Sequence, residues 1–201
     1  DAPLRYYREN VHGLTVLLEA VAAAGVRRFV FSSSAAVYGS PDVEEVTEDT
    51  PCLPVNPYGE TKLAGEWLVR SAGRAHGIGT ACLRYFNVAG AARPELADTG
   101  AFNVIPMFFE RISRGEAPVI FGEDYPTPDG TCVRDYVHVA DLAEAHLTAT
   151  RWLGGTGAEG PDGLTVNIGT GQGVSVRELA TLVAEATGHP APPRVAGRRP
   201  G

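Results

Sequence analysis

The chain of 201 residues carries a formal net charge of -7, with 44% hydrophobic and 20% charged residues, the composition of an ordinary globular protein. It has neither a basic run that would bind nucleic acid nor an apolar run near the roughly 18 residues of a membrane helix, so we expect neither partner. Its cysteines, Cys52, Cys82 and Cys132, are far apart and lack a Cys-x-x-Cys spacing, which argues against disulfides and a zinc site and predicts a cytoplasmic protein without a metal.

Helical and strand patterns alternate along the chain. Apolar residues at three- and four-residue steps predict helices, and short apolar runs without alternation predict strands buried on both faces of a parallel sheet. The predicted helices cover residues 6–24, 57 to 73 or 77, 103–114, 139–153, and 175 or 176 to 187. The predicted strands cover residues 28–32, 80–85, 119–122, 134–138 and 164–168. This order predicts an α/β fold with a largely parallel, doubly wound sheet.

Tyr58 and Lys62 lie four residues apart on a helix whose start is marked by Asn56 as N-cap and Pro57 in the first turn. Lys62 is the only lysine in the chain. Because residues four apart share a helix face, we expect the ammonium to lie beside the tyrosine ring and to lower the pKa of Tyr58 toward that of a usable base. The alternative interpretation is an exposed helix with a solvated lysine.

Polar side chains follow two of the predicted strands. Ser32, Ser33 and Ser34 end the first of these strands, and Asn87 follows the strand at 80–85. Open α/β sheets bind ligands at the carboxyl ends of their parallel strands, so we expect these side chains to line a shared crevice. The alternative is that the serines only cap a turn.

Three glycines, Gly169, Gly171 and Gly173, follow the last predicted strand. A dinucleotide-binding turn has the spacing Gly-x-Gly-x-x-Gly, which would require glycine at the position of Val174. We therefore interpret this cluster as a tight turn into a capped helix and not as a phosphate site.

Serine at a strand end, Tyr-x-x-x-Lys on the next helix and asparagine after the next strand together resemble the extended short-chain dehydrogenase/reductase superfamily. Within it, five segments are similar to the UDP-glucose 4-epimerase family, and the similarity extends over essentially the whole chain. These segments are Ser-Ser-Ser-Ala-Ala-Val-Tyr-Gly at 32–39, Asn-Pro-Tyr-Gly-Glu-Thr-Lys at 56–62, Leu-Arg-Tyr-Phe-Asn at 83–87, Ile-Phe-Gly-Glu-Asp-Tyr-Pro-Thr-Pro-Asp-Gly at 120–130 and Val-Arg-Asp-Tyr-Val-His at 133–138. The last two are the most specific.

The resemblance implies an isomerase that interconverts UDP-glucose and UDP-galactose through a 4-keto intermediate, with NAD as cofactor. Tyr58 would be the base and acid, Lys62 would bind the nicotinamide ribose, and Ser34 would hold the sugar hydroxyl. The implied cofactor contacts are Asn10, Ser32, Ser33, Tyr58, Lys62 and Phe86. The implied UDP-hexose contacts are Ser34, Asn87, Asn103, Val104, Val119, Ile120, Phe121, Arg134 and Arg199.

The same resemblance implies how the chain is organised. Residues 1–90 would be the remainder of a Rossmann NAD-binding domain with the catalytic residues. Residues 91–201 would be part of a small C-terminal substrate-binding domain, with 132–170 returning a strand and a helix to the Rossmann sheet. The intact enzyme would be a cytoplasmic homodimer of galactose metabolism.

The sequence departs from the family in ways that leave other functions open. It begins at Asp1, not Met, and lacks the family's amino-terminal half-sheet with its glycine-rich pyrophosphate turn, so we expect a fragment of a longer enzyme. Another NAD-dependent sugar-nucleotide epimerase is one alternative. A 4,6-dehydratase is another, although Ala35 and Ala36 stand where those enzymes commonly carry an Asp-Glu pair. A catalytically inactive nucleotide-binding regulator or an inactive truncated product would also fit.

Overall fold

The structure is a computed structural model that describes residues 2–98, 100, 103–155, 163–188 and 192–198. The helices are α1 (Pro3–Tyr6), α2 (Gly13–Ala23), α3 (Pro57–His76), α4 (Val104–Ser113), α5 (Val139–Trp152) and α6 (Val176–Thr187). The strands are β1 (Arg28–Ser32), β2 (Gly79–Tyr85), β3 (Asn87–Ala89), β4 (Val119–Phe121), β5 (Val133–His138), β6 (Leu164–Ile168), β7 (Gly173–Ser175) and β8 (Arg194–Ala196). Short 3-10 turns span Ala35–Tyr38 and Pro94–Leu96.

The chain forms two compact units, one of residues 1–86 with 141–168 and one of residues 87–140 with 169–201. The first change of unit falls after residue 86, and the domain boundary expected at residue 90 stays a prediction. Of the segment predicted to return to the Rossmann sheet, most of α5 and all of β6 belong to the first unit, whereas β5 pairs within the second.

The first unit is a three-layer structure around a parallel sheet in the order β1-β2-β6. Successive residues of β2 point to opposite faces. Cys82 packs with Leu14 and Val69 of α2 and α3, whereas Leu83 packs with Ala149 of α5. Helices cover both faces of β2, which confirms the predicted doubly wound α/β fold.

The second unit contains β3, β5 and β7 in one small sheet and β4 paired in parallel with β8 in another. Within the first of these, β5 is parallel to β3 and antiparallel to β7. Its core joins Phe108 of α4, Ile120 of β4 and Val183 of α6. We did not predict β3, β7 or β8, because each has only three residues and, unlike the Val-Ile-Phe run of β4, none of them is a run of apolar strand formers.

The helical segment at the start of the chain differs from the single helix predicted over 6–24. It begins at Pro3, and between α1 and α2 the residues Tyr7–His12 form a π-helical turn. Such turns are rare and are frequent at functional sites. Gly25 ends the segment with φ 67°, as predicted. Across the described ranges, no helix has the length and apolar character to cross a membrane.

Candidate functional site

The start of α3 fixes the position of Tyr58. The Asn56 side chain accepts a hydrogen bond from the Gly59 amide at 2.9 Å, and Pro57 occupies the first helical position. Tyr58 therefore lies in the first turn, and Lys62 lies one turn further along the same face. The Lys62 Nζ atom is 5.6 Å from the centroid of the Tyr58 ring. The predicted helix, its cap and the shared face are confirmed.

Ser34 meets this helix from the end of β1. It is the N-cap of the 3-10 turn Ala35–Tyr38, where its hydroxyl accepts from the Ala36 amide at 3.2 Å. The Ser34 side chain also acts on Tyr58, where it lowers the pKa of the phenol. Lys62 donates from Nζ to the backbone oxygen of Ser32 at 3.0 Å. The structure thus brings Ser34, Tyr58 and Lys62 together, although their chemical roles stay predictions.

The electrostatics of the pair differ from the prediction. Burial raises the pKa of Tyr58, and the Ser34 side chain opposes that shift. Burial also lowers the pKa of Lys62. The prediction that Lys62 lowers the pKa of Tyr58 is wrong for this structure. The ammonium lies over the faces of the Tyr58 and Phe31 rings and donates to a carbonyl. Desolvation of the phenol is the main influence on its pKa.

Among the predicted cofactor contacts, Asn10 has a defined place. It lies in the π-helical turn, and its Nδ2 donates to Thr61 Oγ1 at 2.9 Å. Thr61 Oγ1 in turn donates to the Tyr58 carbonyl at 2.9 Å. The π turn is therefore attached to the helical turn that carries Tyr58. Phe86 is half-buried, and its role toward a cofactor stays a prediction.

Two adjacent serines behave differently from Ser34. The Ser32 hydroxyl is 3.2 Å from Nε2 of His146 on α5. Ser33 is fully buried, and its hydroxyl donates to Glu66 Oε1 at 2.5 Å. A side chain without accessible surface cannot touch a ligand, so the predicted cofactor contact of Ser33 is corrected to an interior hydrogen bond.

Most predicted substrate contacts belong to the second unit. Asn87, Asn103 and Arg134 are exposed there, and their roles stay predictions. Val104, Val119 and Phe121 are half-buried, and their roles toward a substrate also stay predictions. Ile120 is 1% exposed and part of the core with Phe108, so its predicted substrate contact is corrected to core packing. Arg199 lies outside the described residues.

Sequence reasoning missed a buried ion pair next to the serines. Glu66 and Arg84 are 0% and 5% exposed, and the guanidinium binds both carboxylate oxygens, from Nε at 2.9 Å and from Nη2 at 2.7 Å. The sequence did contain a signal, because Arg84 interrupts an otherwise apolar predicted strand. In the part of the chain that the structure describes, no three His, Cys, Asp or Glu side chains are grouped as metal ligands.

The chain is similar in sequence to known proteins. The chain is 48% identical over 199 residues to a UDP-glucose 4-epimerase of Streptomyces lividans, covering 98% of this chain and 59% of that protein. A UDP-glucose 4-epimerase of Azospirillum brasilense is 46% identical, with 99% of this chain and 57% of that protein covered. The chain thus spans under two thirds of the length of these relatives.

Solved structures show the same fold. The UDP-glucose 4-epimerase of Brucella ovis in complex with NAD matches with a TM-score of 0.90 and 39% identity, over 100% of this chain and 62% of that one. The Bifidobacterium longum enzyme, in complex with NAD+ and UDP, matches with a TM-score of 0.85 and 37% identity, over 99% and 60%. The model of the NAD dependent epimerase/dehydratase family matches residues 1–169. The chain belongs to the NAD dependent epimerase/dehydratase family.

Proposed function

We propose that the protein containing this chain is a UDP-glucose 4-epimerase, an isomerase that interconverts UDP-glucose and UDP-galactose with bound NAD. The observation that carries the proposal is the convergence of Ser34, Tyr58 and Lys62 at the end of β1 and the start of α3. Relatives at 48% and 46% identity that bear this name support the choice of substrate.

The residues at this place fit the nicotinamide end of NAD. An ammonium has three N–H donors, and Lys62 makes one hydrogen bond within the described ranges, to Ser32. Its other donors suit the hydroxyls of a ribose, and the rings of Tyr58 and Phe31 flank the same ammonium. NAD, when bound, supplies a hydride acceptor and donor.

In the proposed reaction, the Tyr58 phenolate removes the proton from the 4-hydroxyl of the hexose as the C4 hydride leaves. Ser34 holds the same hydroxyl oxygen by a hydrogen bond and keeps it aligned with the phenol. The 4-keto sugar rotates, hydride returns to its other face, and Tyr58 gives the proton back. The proton and the hydride are both restored, so there is no net oxidation.

The sequence next to Ser34 favours an epimerase over a dehydratase. Elimination of water across C5 and C6 needs an acid and a base besides the tyrosine, and Ala35 and Ala36 provide neither. We further propose that the protein acts in galactose metabolism, in the cytoplasm and as a homodimer. Its mass by light scattering tests the dimer.

The function is tested by incubating the purified protein that contains this chain with UDP-galactose and no added NAD, then measuring UDP-glucose. Replacing Tyr58 with Phe should abolish turnover and leave UDP-sugar binding, measured by calorimetry, within about twofold of the parent, since only a proton-transfer group is lost. Substantial residual epimerisation by the Tyr58→Phe variant would contradict the proposed role of Tyr58. If the protein converts UDP-N-acetylgalactosamine but not UDP-galactose, the proposed substrate is wrong.

A further inference from the structure

We propose that Glu66 is a positioning residue. Through its hydrogen bond with Ser33, it fixes the serine segment, residues 32–34, relative to the face of α3 that carries Tyr58 and Lys62. The inference rests on the proposed function of Tyr58, Lys62 and Ser34. It adds to them a third member of the same helix face, one whose own side chain reaches no ligand.

Tyr58, Lys62 and Glu66 follow one another at four-residue spacing, so they form a stripe along α3. Each meets a different residue of the serine segment. Ser34 acts on the pKa of Tyr58, and Lys62 donates to the Ser32 carbonyl at 3.0 Å. The remaining pair, at 2.5 Å, joins Glu66 to Ser33. A shift of the helix along the strand end would break both hydrogen bonds and would move Tyr58 relative to Ser34.

The Glu66 carboxylate is well suited to set this register because it is itself fixed. Arg84 binds both of its oxygens, and bidentate pairs of this kind hold a carboxylate in one orientation. The guanidinium is held in turn by Tyr38, whose hydroxyl accepts from Nη1 at 2.9 Å. Tyr38 then donates to Asn167 of β6 at 2.7 Å. The Ser33 hydroxyl thus has one fixed acceptor.

Close packing supports the same register. A Cβ atom on Gly65, one residue before Glu66, would lie 2.6 Å from the Phe31 ring of β1. A Cβ atom on Gly59, one residue after Tyr58, would lie 2.5 Å from the Ala36 carbonyl. The helix therefore approaches both β1 and the turn after the serines without space for adjustment, and the hydrogen bonds decide where along the strand it stops.

The test compares Ser33→Ala with Ser175→Ala in the protein that contains this chain. Ser175 is 5% exposed and donates to Asp129 at 2.5 Å, so it loses a matching hydroxyl–carboxylate bond in the second unit. Both variants should be less stable. Ser33→Ala alone should lower kcat about ten- to a hundredfold, with KM unchanged, because small misplacements of reacting groups are costly.

A second readout separates positioning from general destabilisation. Ser34 lowers the pKa of Tyr58, so loosening Ser34 should move the rise of kcat with pH to higher pH. Tyrosinate absorbance, taken as a difference from Tyr58→Phe, should show the same displacement without any substrate. An unchanged pH profile and titration in Ser33→Ala, or equal kcat loss in both variants, would overturn the inference. Absence of epimerisation in the parent protein would instead overturn the proposed function, and the absorbance titration would still decide the role of Ser33.

Discussion

Arg84 places a positive charge inside an otherwise apolar strand, and Glu66 is the reason that it can lie there. Burial alone would lower the pKa of Arg84, but the hydrogen bonds and negative charge of Glu66 raise it well above its usual value. A buried pair of this kind adds little net stability when intact, because both charges have left water. Breaking it is costly, since the buried Glu66 carboxylate would keep, among the described residues, only a longer ion pair, with Arg70 at 3.6 Å.

We therefore expect Arg84→Met to lower the free energy of unfolding by about 3–5 kcal/mol, the usual cost of removing one partner of a buried ion pair. Urea unfolding measures this value. Arg5→Met is the matched control, because Arg5 and Glu9 are also 2.7 Å apart but more than half exposed, and exposed pairs contribute little. Equal destabilisation by the two variants would contradict the argument from burial.

The sequence predicts single residues well where spacing determines their direction. Tyr58 and Lys62 share a helix face because residues four apart always do. Ser32, Ser33 and Ser34 have no such rule, since the chain leaves β1 at this point and each hydroxyl points wherever packing directs it. Ser33 turned inward to a carboxylate that is 33 positions away in sequence. Only the tertiary structure brings these two groups together.

Among the elements, α3 was predicted almost to the residue because its signals are local. Asn56 and Pro57 mark its start, and Gly77, with φ 64°, ends it. The glycine turn after β6, predicted as a tight turn into a capped helix, does lead into α6 through a capping box at Ser175. Its amides at Thr170 and Gly171 bind the Asp135 carboxylate at 2.8–2.9 Å. That partner could not be foreseen, because it comes from another strand.

Gly59 offers a test of how closely α3 must approach the serine segment. Gly59→Ala should destabilise the protein by about 1–3 kcal/mol, as overpacking does, and should reduce kcat, because the added methyl meets the backbone of Ala36 beside Ser34. Thermal unfolding and kcat measure the two effects. Gly13→Ala, on α2, is the control. A Cβ atom at this position would have nothing within 4 Å, and alanine should stabilise the helix by about 0.5–1 kcal/mol. An unchanged kcat in Gly59→Ala would show that α3 can move away from the serine segment without loss of activity.

For the whole molecule, the sequence predicted two regions but placed their boundaries by family resemblance. One of the points at which the chain changes unit lies between Ala140 and Asp141, within α5. Hydrophobic periodicity runs through this helix without interruption, so no sequence signal marks the point. Each unit has its own buried core, and Cys82 and Cys132 report on different units.

Thiol labelling should therefore distinguish the two units, because Cys82 and Cys132 should differ in their reactivity in the folded protein. Burial raises the pKa of Cys82 to about 12, so at pH 8 only about one thiol in 10⁴ would be the reactive thiolate. The surrounding strand β2 is paired on both sides, and its amides open only with the unit. Cys132 is half-buried at the start of β5 and should react in the folded protein.

Labelling with a disulfide reagent, followed by mass spectrometry, measures both rates in the variants Cys52→Ala/Cys132→Ala and Cys52→Ala/Cys82→Ala. We expect Cys82 to react only as urea unfolds the first unit, at a midpoint that matches the loss of helical circular dichroism. Cys132 should react without urea. Fast native labelling of Cys82 would mean that β2 opens locally, and the paired strands around it would then not act as one cooperative core.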